Sequence, residues 1–318
     1  MKLLRLAARA VLGLAVGLLV GCAGGGSPAP TPAPTQAPAA APAPAPVTWG
    51  RDGDLAVGPL LWQVESRDGR PLFLFGTLHT ETGASVRQEV WARFRASRTV
   101  ALETDITAFT GRAMMAKALL PPGESLDTLV GNEAWPRLRD HLKSAIPEAA
   151  LVRLRPWFVV SFVLMQASGL KPGDDPMDLA LMKAGRDAGK TLRFLETPDD
   201  QIDLVARTFD GKAVAALAMR LEALPGVLQR VTSTYRAGDV RGLEAVLVDR
   251  EARLALGDDQ VRGLLGARNE RWLPLVEQLV AEGGAFVAVG AGHLPGPDGL
   301  VALLRARGYQ VTRVPAGR

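Results

Sequence analysis

Phe286–Val314, FVAVGAGHLPGPDGLVALLRARGYQVTRV, reads in order as a strand, a glycine-rich loop carrying a histidine, a helix and a second strand. Phe286 to Val289 is a short apolar, β-branched run of the kind buried in a parallel sheet. Gly290, Gly292, Gly296 and Gly299 let the loop turn tightly and leave the space beside His293 free of side chains. Ligands of open α/β sheets gather at the carboxyl ends of the strands, so His293 is placed for chemistry. The arrangement recurs upstream, where the apolar run Leu72 to Phe75 is followed by Gly76, Thr77, Leu78 and His79. Two strands therefore end in glycine, two residues, histidine.

Working outward, Leu60 to Ser66 and Pro71 to His79 flank Asp68-Gly69, a strong hairpin signal, and the second strand of that hairpin delivers His79. Thr99 to Ile106 is a further strand, with Glu103 and Asp105 sharing a face if it continues that far. Glu103 in an apolar strand needs a partner, because an unpaired buried carboxylate is costly. Thr110 to Gly189 has apolar residues at helical spacing, punctuated by Pro121-Pro122-Gly123, Pro147, Pro156 and Pro172-Gly173. Met114, Met115, Leu119, Leu120, Leu126 and Leu129 read as core rather than as a cofactor box. Asp178 opens a helix, the usual place for a cap or dipole partner. Thr191 to Leu195 is a short strand ending at Glu196. Helices are predicted over Asp199–Phe209, Lys212–Ala237, Val240–Ala255 and Asp258–Ala281, with breaks at Gly238 and Gly257. Strands at both ends with a large helical insertion between them predict one α/β domain over 49–318, whose terminal strands pair in a mixed sheet.

The amino-terminal segment differs in kind. Residues 1–21 carry Lys2, Arg5 and Arg9 ahead of an apolar run from Ala10 to Val20, the layout of a secretory signal and too short to span a bilayer comfortably. Leu19-Val20-Gly21-Cys22 resembles a bacterial lipoprotein cleavage site, with Cys22 as the lipidated first residue. The alternative is an ordinary signal with a coincidental cysteine, but the chain's single cysteine stands where lipidation needs one. Residues 22–48 then form an Ala/Pro-rich tether that favours extended polyproline conformations. A lipid-anchored position in the bacterial cell envelope follows as an expectation, with the membrane as a partner through the anchor.

Composition narrows the function. A hydrophobic fraction of 47% excludes a disordered chain, and the single cysteine rules out an internal disulfide. The formal charge of +4 falls to about +1 without Lys2, Arg5 and Arg9, and the remaining basic residues are interspersed with acidic ones, so no nucleic-acid partner is expected. Neither GxSxG nor GxxxxGK[ST] occurs, and Cys22 is claimed by the lipid. Gly290-Ala291-Gly292 is no dinucleotide loop, because the third glycine is displaced and His293 would crowd a pyrophosphate.

His79, His293 and Glu103 would supply two imidazoles and a carboxylate from three strand ends, a ligand set for a divalent metal. The alternative makes each histidine an ordinary loop residue beside a glycine turn. Glu103 is either a third ligand or the general base beside a metal-bound water. Glu196 is either a second carboxylate at the same edge or the acidic start of the next helix. Arg268 and Asn269 either stabilise an oxyanion or bind substrate, or else form an exposed helix pair. His141, among charged neighbours, belongs to a solvated helix face.

GTLH at 76–79, ALETD at 101–105, LET at 195–197 with Gln201, Arg268-Asn269, and VGAGHLPGPDGLVALLRARGY at 289–309 resemble the TraB/GumN family, from about residue 60 to the C-terminus. The resemblance implies the erythromycin esterase and ChaN-like α/β arrangement. It places His79, His293 and Glu103 at the family's metal and catalytic positions and Asn269 at its polar helix position. Its Tiki members are metal-dependent proteases, which implies a divalent ion (Mn, Co or Zn) and a peptide or protein substrate in the envelope. Other members are linked to polysaccharide production and pheromone shut-down, so a non-catalytic metal- or haem-binding lipoprotein and a structural envelope protein stand as alternatives.

Overall fold

Short apolar runs and amphipathic segments alternate along the chain, and the strands they supply form one sheet. The computed structural model describes residues 58–66, 69–108, 116–171, 173–248 and 258–316. The signal segment 1–21, Cys22, the 22–48 tether, the Arg67-Asp68 turn, Met114, Met115, Pro172 and the end of the Val240–Ala255 helix lie outside the described residues.

The strands are β1 Leu61–Val64, β2 Leu72–Thr77, β3 Thr99–Leu102, β4 Thr191–Phe194, β5 Ala285–Gly290 and β6 Val311–Arg313. Their order across the sheet is β4-β3-β5-β2-β1-β6. The four strands from β4 to β2 run parallel, while β1 pairs antiparallel with both β2 and β6. The result is the mixed sheet expected, built from both ends of the chain around a helical insertion.

The helices are α1 Gln88–Ala96, α2 Leu126–Val130, α3 Trp135–Leu142, α4 Glu148–Leu151, α5 Pro156–Ala167, α6 Met177–Asp187 and α7 Pro198–Thr208. There follow α8 Gly211–Ala218, α9 Leu224–Ala237, α10 Val240–Val248, α11 Asp258–Leu264, α12 Gly266–Glu282 and α13 Leu300–Ala306. The segment Lys212–Ala237 is two helices rather than one, as is Asp258–Ala281, where Leu265 leaves helical geometry with φ −121° and ψ −70°. Gly238 ends α9 in the left-handed region, φ 69°, where a glycine carries no Cβ penalty.

β5 and β2 are buried on both faces, as central parallel strands are. Phe286 packs against Phe75 and Phe94 at ring separations of 5.8 and 5.4 Å, which docks α1 on one face. Helix α5 is apolar all round and buries Trp157 through Leu164. Among the described residues, no helix is long and apolar enough to cross a membrane.

Candidate active site at the carboxyl edge of the sheet

β5 lies between β3 and β2, with Leu102 opposite Ala288 and Thr77 opposite Gly290. That register brings the residues just past three parallel strands to one edge: Glu103 after β3, His79 two residues after β2, and His293 in the 3-10 turn Ala291–His293 after β5. β3 ends at Leu102, so Asp105 does not share its face; it accepts from the Thr107 backbone N–H at 2.9 Å. Helix α12 supplies Arg268 and Asn269, which are buried rather than paired on an exposed face. Glu196 follows β4 at the same edge, and Arg268 grips it. His141 is exposed on α3.

Glu103 is the hub. Its Oε1 accepts from the Gly290 backbone N–H at 2.7 Å, and its Oε2 accepts from Arg268 Nη2 at 2.6 Å and Gln201 Nε2 at 3.2 Å. Burial pushes the Glu103 carboxyl up, but the Arg268 guanidinium, both imidazoles and the Gly290 N–H outweigh it and leave it at about 2. Gly290 is needed for space: a Cβ there would stand 3.1 Å from His79 Nε2 and 3.2 Å from Glu103 Oε1.

Arg268 is fully buried, and all of its N–H groups are engaged. Nε and Nη2 donate to Glu196 at 3.1 and 2.5 Å, Nη2 also to Glu103, and Nη1 to the Leu264 carbonyl at 3.3 Å and His293 Nε2 at 2.9 Å. Its guanidinium carbon lies 4.3 Å from the Trp272 ring centroid. Burial also raises Glu196, with Arg268 pulling the other way.

Asn269 defines the state of His293. Its Nδ2 donates to the carbonyls of His293 at 3.1 Å and Asp298 at 2.7 Å, so its Oδ1 is the acceptor for His293 Nδ1–H at 2.7 Å. His293 Nε2 therefore carries the lone pair, which Arg268 occupies. Burial drives the His293 imidazolium down to about 3, and it is neutral at physiological pH. Neither Arg268 nor Asn269 has a donor left for a substrate; both act on the site through Glu103 and His293.

His79 is held differently. Its Nδ1–H donates to Asp178 Oδ2 at 2.5 Å, while Thr77 Oγ1 donates to Asp178 Oδ1 at 2.6 Å. Burial pulls His79 down, but the Asp178 and Glu103 carboxylates overcome it and leave the imidazole above its ordinary value. Its Nε2 is buried without a partner. Beside it lies a cavity of about 20 Å³ lined by His79, Leu102, Glu103, Thr104, Ile106, Asp178 and Gln201. That volume holds one water or one ion.

A divalent ion fits this site on one side. The free nitrogen of His79 and the ionised Glu103 are the donors it would use, next to a cavity of its size. On the other side His293 offers no free lone pair while Arg268 keeps its bond.

Sequence reasoning missed Asp178, read as a cap, and Trp272. The Trp272 contact had a signal, since it follows Arg268 by four residues on one helix face. Asp178 had none, because any acidic residue opening a helix looks the same and its partners lie about a hundred residues away.

The chain is 27% identical over 314 residues to metalloprotease TIKI2 of Danio rerio, covering 80% of this chain and 61% of that protein. It is 26% identical over 316 residues to metalloprotease TIKI1 of Homo sapiens, covering 81% and 62%. The chain thus spans less than two thirds of the length of these relatives. No solved structure matches it. The profile of one family matches residues 60–313, which takes in every strand and every residue of the site, and the chain belongs to the TraB/PrgY/gumN family.

Proposed function

We propose that this protein is a divalent-metal-dependent hydrolase of peptide bonds, held at the bacterial cell envelope by a lipid on Cys22. The observation that carries the reading is the buried, unpartnered Nε2 of His79 beside ionised Glu103 and a cavity the size of one ion. The relatives named as metalloproteases support it.

His79 Nε2 and Glu103 would hold the ion, which when bound lowers the pKa of water and polarises a carbonyl. Asp178 fixes which nitrogen of His79 faces the cavity, as carboxylates behind metal-binding histidines do. Glu103 is a ligand or takes a proton from the attacking water. Arg268 holds Glu103 ionised, and Asn269 holds the His293 ring in place.

A metal-free reading rests on Arg268, a permanent cation that already neutralises Glu103 and takes the His293 lone pair. In it His79, oriented by Asp178, is the general base for a water in the cavity.

Peptide-library cleavage by chelator-stripped protein, with and without added Mn²⁺, Co²⁺ or Zn²⁺, separates the two. Cleavage restored by metal, and abolished in Glu103→Gln, is the expected result. Cleavage indifferent to chelator transfers the case to the metal-free reading. Bound metal without cleavage of any peptide ends the peptidase reading. Incorporation of radiolabelled palmitate into the wild type and not into Cys22→Ser tests the anchor.

A further inference from the structure

We infer that Gln201 and Thr104 complete the cation site with His79 and Glu103, through the Gln201 amide oxygen and the Thr104 hydroxyl. The inference rests on the metal reading above and names the ligands that reading leaves open.

Three side chains that line the cavity each carry a buried polar atom without a hydrogen-bond partner: His79 Nε2, Thr104 Oγ1 and Gln201 Oε1. Buried polar atoms are nearly always paired, and three orphans around one small space point to an occupant they share. Their polarity says what kind. The His79 proton is on Nδ1, donated to Asp178, so Nε2 is an acceptor. Gln201 Nε2 is directed at Glu103, so its free atom is the carbonyl oxygen, also an acceptor. Glu103 and Asp178 are acceptors too, and the Thr104 hydroxyl is the one group among these able to donate.

A single water could donate to His79 Nε2 and Gln201 Oε1 and accept from the Thr104 hydroxyl, whereas a cation draws on lone pairs of all three and on the Glu103 carboxylate that lines the same space. Imidazole with carboxylate, amide and hydroxyl oxygens, and no thiolate, is a donor set for Mn²⁺ and ions like it. Counting only His, Cys, Asp and Glu, no group of three or more among the described residues can hold a metal, which is why the amide and hydroxyl matter. His293 stays outside this set, its lone pair held by Arg268.

The test is Mn²⁺ titration of the chelator-stripped full chain by calorimetry and by Mn²⁺ electron paramagnetic resonance, with thermal melts as a folding control. Thr104→Val removes one hydroxyl at constant shape and is expected to weaken Mn²⁺ binding about tenfold, while Thr104→Ser keeps it. Gln201→Leu is expected to lose tenfold or more; should it fail to fold, the Thr104 pair decides. Wild-type binding with Thr104→Val and Gln201→Leu unaltered overturns the inference and leaves the metal reading standing. Loss of Mn²⁺ in His293→Gln but not in those two variants also overturns it, by placing the ion between the histidines. A wild type that takes no Mn²⁺ overturns the metal reading itself.

Discussion

Arg268 donates from Nη1 to the Nε2 lone pair of His293 at 2.9 Å, with the Trp272 ring 4.5 Å from the imidazole and 4.3 Å from the guanidinium carbon. The carboxylates of Glu103 and Glu196 flank the same cation. Arg268→Met would leave two buried carboxylates without their counterion, for an expected loss of about 3–5 kcal/mol in urea unfolding. Arg268→Lys keeps the charge without the fork and should lose less. Equal losses in the two variants would show that charge is not what holds this cluster.

Gly290→Ala tests the space between His79 and Glu103. The backbone there, φ −51° and ψ 136°, suits any residue, so the effect is steric alone. The added Cβ would sit 3.1 Å from His79 Nε2. Mn²⁺ binding should fall at least tenfold, with a stability loss of about 1–3 kcal/mol from overpacking. Unchanged Mn²⁺ affinity would place the ion elsewhere.

Asp178→Asn keeps an acceptor for His79 Nδ1–H but removes the charge that, with Glu103, holds the imidazole above its ordinary value. In chelator-treated protein His79 should titrate lower by NMR. Mn²⁺ affinity should drop by about 10–100-fold, the usual loss when the carboxylate behind a metal-binding histidine is removed. An unmoved titration would show that Asp178 does not govern this ring.

The metal-free protein should lose stability in acid. His293 sits at about 3 against an ordinary 6.5, and Glu103 at about 2 against 4.5. Both are depressed on folding, so between each pair of values the unfolded chain binds more protons and stability is lost as pH drops. His79 is raised and works in the opposite sense: its contribution is complete below 6.5 and fades as pH rises through its folded value. Urea midpoints measured with chelator should fall as pH drops from 6.5 towards 3, and His293→Gln should flatten the upper part of that decline. A flat wild-type profile would remove the buried neutral histidine.

Local pattern was enough for the strands that make the edge. The apolar runs ending in Gly76 and Gly290, each with a histidine three residues on, mark two strand ends, and the match with ALETD marks the third. Boundaries read less well. β3 stops at Leu102 because Glu103 turns to meet Arg268 and the Gly290 N–H, contacts that strand propensity does not contain. The break at Leu265 leaves no mark in the apolar spacing, which runs on across it.

By itself the sequence determined that two histidines leave a sheet at glycine-marked ends, because strand periodicity and glycine turns are properties of neighbouring residues, and it offered a glutamate at a third strand end. Only the tertiary structure decided what each of them touches. Asp178 reaches His79 across 99 residues and Arg268 reaches Glu103 across 165. Which imidazole keeps its lone pair free depends on charges and donors that the fold alone brings within 3 Å.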